Sequence, residues 1–239
     1  MTNRYIRQIL VRDFGGSAQA KLARAHIAII GLGGIGSPAA LYLASSGIGQ
    51  MTIYEDDIVH GSNLHRQVLF GADDMGAPKA ENGAARLMQA NPDLKINLAG
   101  RFFADVPNDG FDLILDGSDS LDTRHAASSF AVQNDIPLLS ASLAQWEGQI
   151  THFLPSQSGG CYHCLYPEGT DASAIPNCSE AGVIGPVAGM VGSWAALEAL
   201  KIIAGVNPLP PSQMLLIDGA YRETRIMKIA KRNVCSNCG

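Results

Sequence analysis

Between residues 26 and 140, short apolar runs alternate with stretches whose apolar positions recur at helical spacing. His26-Ile-Ala-Ile-Ile30 is a near-continuous apolar run that stops at Gly31, the pattern of a strand covered on both faces. Gly36 to Ser46 has helical spacing, with Ala40, Leu41, Leu43 and Ala44 on the apolar side, and Gly47 and Gly49 end it. Met51 to Tyr54 predicts the next strand, followed by a polar loop through His60-Gly61-Ser62. Lys79 to Ala90 predicts a helix that Asn91-Pro92 stops. Phe111 to Leu115 predicts a strand running into Asp116-Gly-Ser-Asp119, then come a helix around Asp122 to Gln133 and a strand at Pro137 to Ser140. Strands that alternate with helices require crossover connections, so the fold expected is α/β with a mostly parallel, doubly wound sheet.

Beyond Gly148 the texture changes. Gln149 to Leu154, Met214 to Asp218 and Thr224 to Ile229 read as strands without short helices between them, which predicts an antiparallel C-terminal extension. The longest apolar run, Val183 to Gly205, carries Glu198, Lys201 and many small residues. It reads as a buried or interfacial helix and not as a membrane span. No repeat, low-complexity tract or clean linker divides the chain, so 1–239 is expected to form a single domain.

Gly31-Leu-Gly33-Gly34-Ile-Gly36 fits G-x-G-x-x-G, placed after a strand and opening a helix. Glycines there permit a tight turn and close backbone approach, and the helix N-terminus offers unpaired N–H groups to phosphate, as in Rossmann-like folds. Glu55 lies 24 residues beyond Gly31, at the end of the second strand, where an acid can bond a ribose hydroxyl. The loop alone signals a nucleotide and leaves a nicotinamide-dependent oxidoreductase open.

Cations sharpen the choice. Arg66 follows the second strand in Ser62-Asn-Leu-His-Arg66-Gln67, Lys79 comes after a further loop, and Arg4 and Arg7 lie near the start. A dehydrogenase holds a pyrophosphate without breaking it. Adenylyl transfer must stabilise a carboxylate attacking the α-phosphate while pyrophosphate leaves, which calls for several cations and usually magnesium. Asp119, at the carboxyl end of a sheet strand, is placed to hold magnesium. A non-catalytic scaffold is the third reading; the two arginines and Lys79 weigh against it.

Four of the five cysteines fall in two knuckles, Cys161-Tyr-His-Cys164 and Cys235-Ser-Asn-Cys238. Two thiolate pairs form the tetrahedral sulfur set that structural zinc prefers. About 70 residues separate the pairs, more than in an ordinary finger, so the fold must bring them together. A redox role is weaker, because no helix follows Cys235 and Cys238 to lower a thiol pKa. His163, inside the first knuckle, reads as a bystander. The net charge of −5 argues against a nucleic-acid or anionic-membrane partner. The polar N-terminus lacks the apolar stretch of a signal peptide, and a cytoplasmic location is expected.

Taken together, these residues make the chain resemble the ThiF/MoeB/HesA family, the bacterial relatives of ubiquitin-activating enzymes. The resemblance rests on Arg4-Tyr-Ile-Arg7-Gln8, the Gly31 to Pro38 loop, Ser62-Asn-Leu-His-Arg66-Gln67, Pro78-Lys79, Asp116-Gly-Ser-Asp119, Glu147-Gly-Gln149-Ile150, Cys178-Ser-Glu-Ala-Gly182-Val183 and both knuckles, in that order. It implies a nucleotide-binding part over 1–145 and a zinc-stapled, carrier-binding and dimerisation part over 146–239. It implies that Gly31, Gly33, Gly34, Gly36, Glu55, Ser62, Asn63, Arg66 and Lys79 surround ATP, that Asp119 binds magnesium with Ser120 beside it, and that Cys161, Cys164, Cys235 and Cys238 hold zinc. Arg7 matches an arginine supplied to the neighbouring subunit, which makes a homodimer the expected working unit. The implied reaction joins AMP to the C-terminal Gly-Gly carboxylate of a ubiquitin-like sulfur carrier. A separate protein is expected to donate sulfur, since the sequence stops at Gly239 without a rhodanese domain. Glu55 stands where the family commonly has Asp, and Ser120 where it has Asn. Cys178, after the loop Glu168 to Asn177, matches a cysteine that links covalently to the carrier in some members and is dispensable in others. Thiamine and molybdenum-cofactor biosynthesis both remain open as the pathway.

Overall fold

The structure is a computed structural model in which residues 4–156, 159–170 and 182–239 are described. Two short helices, α1 (Ile6–Ile9) and α2 (Gly15–Leu22), precede β1 (His26–Ile30), α3 (Gly36–Ser45) and β2 (Gln50–Tyr54). There follow α4 (Lys79–Ala90), β3 (Lys95–Ala99), β4 (Leu113–Asp116), α5 (Leu121–Asn134), β5 (Leu138–Ala144) and β6 (Glu147–Phe153). A single-turn helix α6 (Tyr162–Leu165), the long α7 (Gly185–Ala204), β7 (Gln213–Asp218) and β8 (Glu223–Lys228) complete the chain.

One eight-stranded sheet runs in the order β3-β2-β1-β4-β5-β6-β7-β8. The pairs from β3 to β5 are parallel, and those from β5 through β8 are antiparallel. The expected antiparallel C-terminal extension of a mostly parallel sheet is therefore observed, and both parts share one sheet. Each strand splits its side chains between two cores, because successive residues point to opposite faces. Ile27 and Ile29 enter the core under α3, α4 and α7, while Ala28 and Ile30 enter the core under α5. Leu113 and Leu115 of β4 repeat the first choice, and Ile114 the second. Two covered faces account for the unbroken apolar runs in β1 and β4.

The sequence pattern left β3 unseen. It is an edge strand with exposed or half-buried residues, and Lys95 and Asn97 interrupt its apolar positions, so it lacks the run that marks the central strands. The strand expected over Phe111 to Leu115 runs instead from Leu113 to Asp116, placing the Asp116 carboxyl in the sheet itself. α7 is long enough and apolar enough to span a bilayer, with mean hydropathy 1.4, yet half of it is buried here. Buried Glu198 accepts from the Lys201 ammonium at 2.7 Å and from the Leu209 N–H at 2.7 Å, so its charge is compensated inside the fold.

Candidate nucleotide site and cysteine cluster

A cavity of about 350 Å³ opens at the carboxyl ends of β1, β2 and β4, the crevice where open α/β sheets bind ligands. Gly31, Gly33 and Gly34 form one wall with Arg66 and Gln67 against them, Glu55, Asp56 and Asp57 lie beyond β2 with Lys79 beside Asp57, and Ser118, Asp119, Ser120 and Arg124 lie beyond β4. Ile35 precedes α3, Lys79 opens α4 and Ser120 caps α5, so three helix N-termini border one cavity. Their aligned dipoles favour an anion there.

The glycine loop is shaped by close approach. Gly31 has φ +83°, a conformation that L side chains rarely adopt. A Cβ on Gly36 would lie 1.9 Å from the Gly31 carbonyl oxygen, so the turn closes only if residue 36 has no side chain. Glu55 holds the same loop from β2: one carboxylate oxygen accepts from the Leu32 N–H at 2.7 Å and the other from the Asp57 N–H at 2.9 Å. The extra methylene of Glu over Asp is thus used to reach the loop backbone.

Lys79 is 4 % exposed, and its ammonium meets Asp57 at 2.5 Å. Partial burial works against ionising Asp57, but the bonds from Lys79 and the Ile58 N–H and the nearby charges of Lys79 and His60 outweigh it, holding the carboxyl below its ordinary pKa. Asp57 is therefore a carboxylate at neutral pH. Arg66 donates to the Ser62 carbonyl at 2.9 Å, which orders the turn Gly61–Asn63 beneath it. Asp119 is exposed in the cavity and forms no ion pair or hydrogen bond among the described residues.

Against α5 the four knuckle cysteines come together, their sulfurs all within 4.8 Å of one another. Cys161 Sγ lies 3.6 Å from Cys235 Sγ, and Cys164 Sγ 3.6 Å from Cys238 Sγ. A tetrahedral zinc with Zn–S bonds of about 2.3 Å has sulfur–sulfur edges of about 3.8 Å, so this set fits the ion. Backbone and side-chain donors support the thiolates: the Arg232 N–H points to Cys164 Sγ at 3.4 Å, and the Asn237 amide to Cys161 Sγ at 3.6 Å. Burial alone would raise Cys235, but the N–H groups of Cys238 and Asn237 bring its pKa down to about 7. His163 stays outside the sulfur set and stacks on His125, ring centroids 4.3 Å apart.

With fold and geometry in hand, comparison with known proteins is decisive: the ThiF family matches residues 5–238. The chain belongs to the ThiF family. It is 39% identical over 240 residues to the sulfur carrier protein ThiS adenylyltransferase of Escherichia coli K12, covering 99% of this chain and 94% of that protein. It is 39% identical over 241 residues to the adenylyltransferase and sulfurtransferase MOCS3 of Xenopus laevis, 98% of this chain but only 53% of the relative, so it spans about half that protein's length. Among solved structures, Escherichia coli MccB with ATP superposes with TM-score 0.86 at 25% identity, covering 100% of this chain and 74% of that one.

In this ThiF-family chain, eight of the expected nucleotide residues line one cavity: Gly31, Gly33, Gly34, Glu55, Arg66, Lys79, Asp119 and Ser120. Gly36, Ser62 and Asn63 lie behind that wall, the first closing the turn and the other two ordering the loop under Arg66. Ser120 accepts from the Thr123 N–H at 3.4 Å as the cap of α5. Arg7 is exposed on α1, far from its own cavity. The neighbouring Gln8 donates to the Ser46 carbonyl at 3.0 Å, at the far end of α3 from the glycine loop, and ten residues of helix put the two ends about 15 Å apart. Cys178 falls outside the described residues. Four charged lining residues carried no expectation from the sequence: Asp56, Asp57, Arg101 and Arg124. Asp57 was traceable as the residue two beyond Glu55 at a strand end, and Arg124 as the one Lys or Arg within α5.

Proposed function

We propose that the protein is an ATP-dependent adenylyltransferase that activates the C-terminal glycine carboxylate of a ubiquitin-like sulfur carrier. The observation that carries this reading is the joint presence, around one glycine turn, of Arg66, buried Lys79 and a free carboxylate at Asp119. A site that only gripped a dinucleotide would not need a free acid on the phosphate side. None of the relatives named above is an oxidoreductase, and no feature of the cavity favours nicotinamide.

In the proposed reaction the triphosphate lies along Gly31 to Gly34, with ribose hydroxyls toward Glu55. The carrier's carboxylate is ionised at neutral pH and needs no general base. It attacks the α-phosphorus in line, the bond to the bridging oxygen breaks, and pyrophosphate leaves. Arg66 and Lys79 hold the departing charge and the three helix N-termini supplement them. Asp119, with Asp57 across the cavity, offers the hard oxygen donors that magnesium prefers. When bound, the ion supplies neutralisation of phosphate charge. The four thiolates would hold zinc as a staple without a chemical part. Arg7 stands too far from its own cavity to act there, and we assign it to the cavity of a second copy in a homodimer.

The test is ATP–pyrophosphate exchange by purified protein with magnesium and a Gly-Gly-ended carrier, followed by mass spectrometry of the carrier terminus. Carrier-dependent exchange and an acyl-AMP mass are expected. Absence of both would overturn the reading, and comparison of thiamine-type with molybdenum-cofactor-type carriers assigns the pathway.

A further inference from the structure

Arg124 is a buried charge that the reaction as described does not use. It is 3 % exposed and borders the nucleotide cavity, and its charge acts on Asp116, which is fully buried in β4. Its Nε and Nη2 both donate to one acceptor, the Ser118 carbonyl, at 3.1 and 2.6 Å. Asp116 completes the hold on that loop: one oxygen accepts from the Ser118 N–H at 3.0 Å and hydroxyl at 2.6 Å, the other from the Ser140 hydroxyl at 3.1 Å. Burying a guanidinium and a carboxylate is a poor route to stability, since desolvation offsets most of their attraction. What the pair does achieve is geometric.

The carbonyl of residue 118 and the N–H of residue 119 belong to one planar peptide unit. A two-pronged bond to the Ser118 oxygen therefore fixes the plane from which Asp119 departs. The helix that carries Arg124 is in turn packed on the side of the cysteine cluster. Tyr162 of α6, 2 % exposed, lies between Cys161 and Cys164. The next residue, His125, bonds through Nε2 to the Tyr166 carbonyl at 2.8 Å and packs edge-on against Tyr162 at 5.6 Å.

We propose that Arg124 is a positioning residue that aims the Asp119 carboxylate into the nucleotide cavity, by clamping the Ser118–Asp119 peptide to a frame built on β4 and the cysteine knuckle. The inference rests on the adenylation reading and adds to it a determinant of magnesium dependence. Lysine at 124 keeps the charge opposite Asp116 but cannot place two donors on one carbonyl.

The experiment compares wild type with Arg124→Lys in a magnesium titration of pyrophosphate exchange, and in calorimetric ATP binding with and without magnesium. The variant is expected to need about tenfold more magnesium and to lose about tenfold of its magnesium-dependent ATP affinity, while binding in magnesium-free buffer changes less than threefold. Titration curves that superimpose on wild type, with only the melting temperature lowered, would overturn the proposal. Arg124→Gln, which retains one donor, replaces the lysine variant if that does not fold, under the same criterion. A wild-type protein inactive in exchange sinks the adenylation reading instead, and the binding arm then still decides the role of Arg124.

Discussion

The parallel half of the sheet and its antiparallel extension achieve order by different means. Around β1, β2 and β4, order comes from backbone: a glycine turn closed by carbonyl contact, helix N-termini, and carboxylates that accept main-chain N–H groups. The extension has a fully exposed last strand, and its partner elements are drawn in by four cysteines distant in sequence. The first half is pre-shaped for an anion and spends little covalent chemistry on its own stability. The second brings together four cysteines that fit a zinc staple, and α6 beside them is tied to α5 through His125. The contrast teaches that catalytic precision and fold stability are divided between regions that meet at Arg124.

That division can be broken in order of effect. Asp119→Ala and Lys79→Ala strike the cavity alone: exchange should fall on the order of 1000-fold, ~4 kcal/mol of transition-state stabilisation, with the melting temperature shifting by only a few degrees. Asp57 is half exposed, so its loss of Lys79 is tolerable. Arg7→Ala should cause a similar loss. Mixing it with Lys79→Ala protein should restore partial exchange in hybrid dimers; failure to restore it would place Arg7 outside the partner's site.

Cys161→Ser strikes the extension. It should lower the metal content and cost about 3 kcal/mol or more, roughly 10 °C in melting temperature, read by thermal unfolding beside metal analysis. An unaltered melting temperature would mean that the cluster is not a staple. Gly36→Ala brings a Cβ against the Gly31 carbonyl and should cost about 2 kcal/mol while weakening ATP binding, so that both readouts move together.

The smallest effect is one of pH. His152 is 3 % exposed in β6, its Nδ1 at 2.7 Å from the Leu209 carbonyl and its Nε2 buried without a partner. Burial lowers its pKa below 6.5, because a second ring proton would find no acceptor. The unfolded chain therefore takes up the proton first. Stability should be full above pH 6.5 and decline below it, and denaturant unfolding of His152→Gln should show a shallower decline over that range.

How much of this was legible in advance follows from the range of the interactions. The strand–glycine turn–helix unit, the alternation of β with α, and the zinc-type knuckles are local patterns, because backbone sterics and side-chain periodicity act over a few residues. Those were readable from residues 26–140 and from the two Cys-x-x-Cys pairs. β3 was not, since an edge strand needs only half a pattern. Neither was the Asp57–Lys79 pair, nor the clamp of Arg124 on Ser118, which depend on β1, β4, α4 and α5 meeting at one end of the sheet. Sequence alone thus determined which chemical groups the protein owns and the class of fold that carries them. Only tertiary structure decided which of those charges face the cavity, which are already paired, and which serve to aim another, because desolvation and pairing are properties of three-dimensional neighbours and not of spacing along the chain.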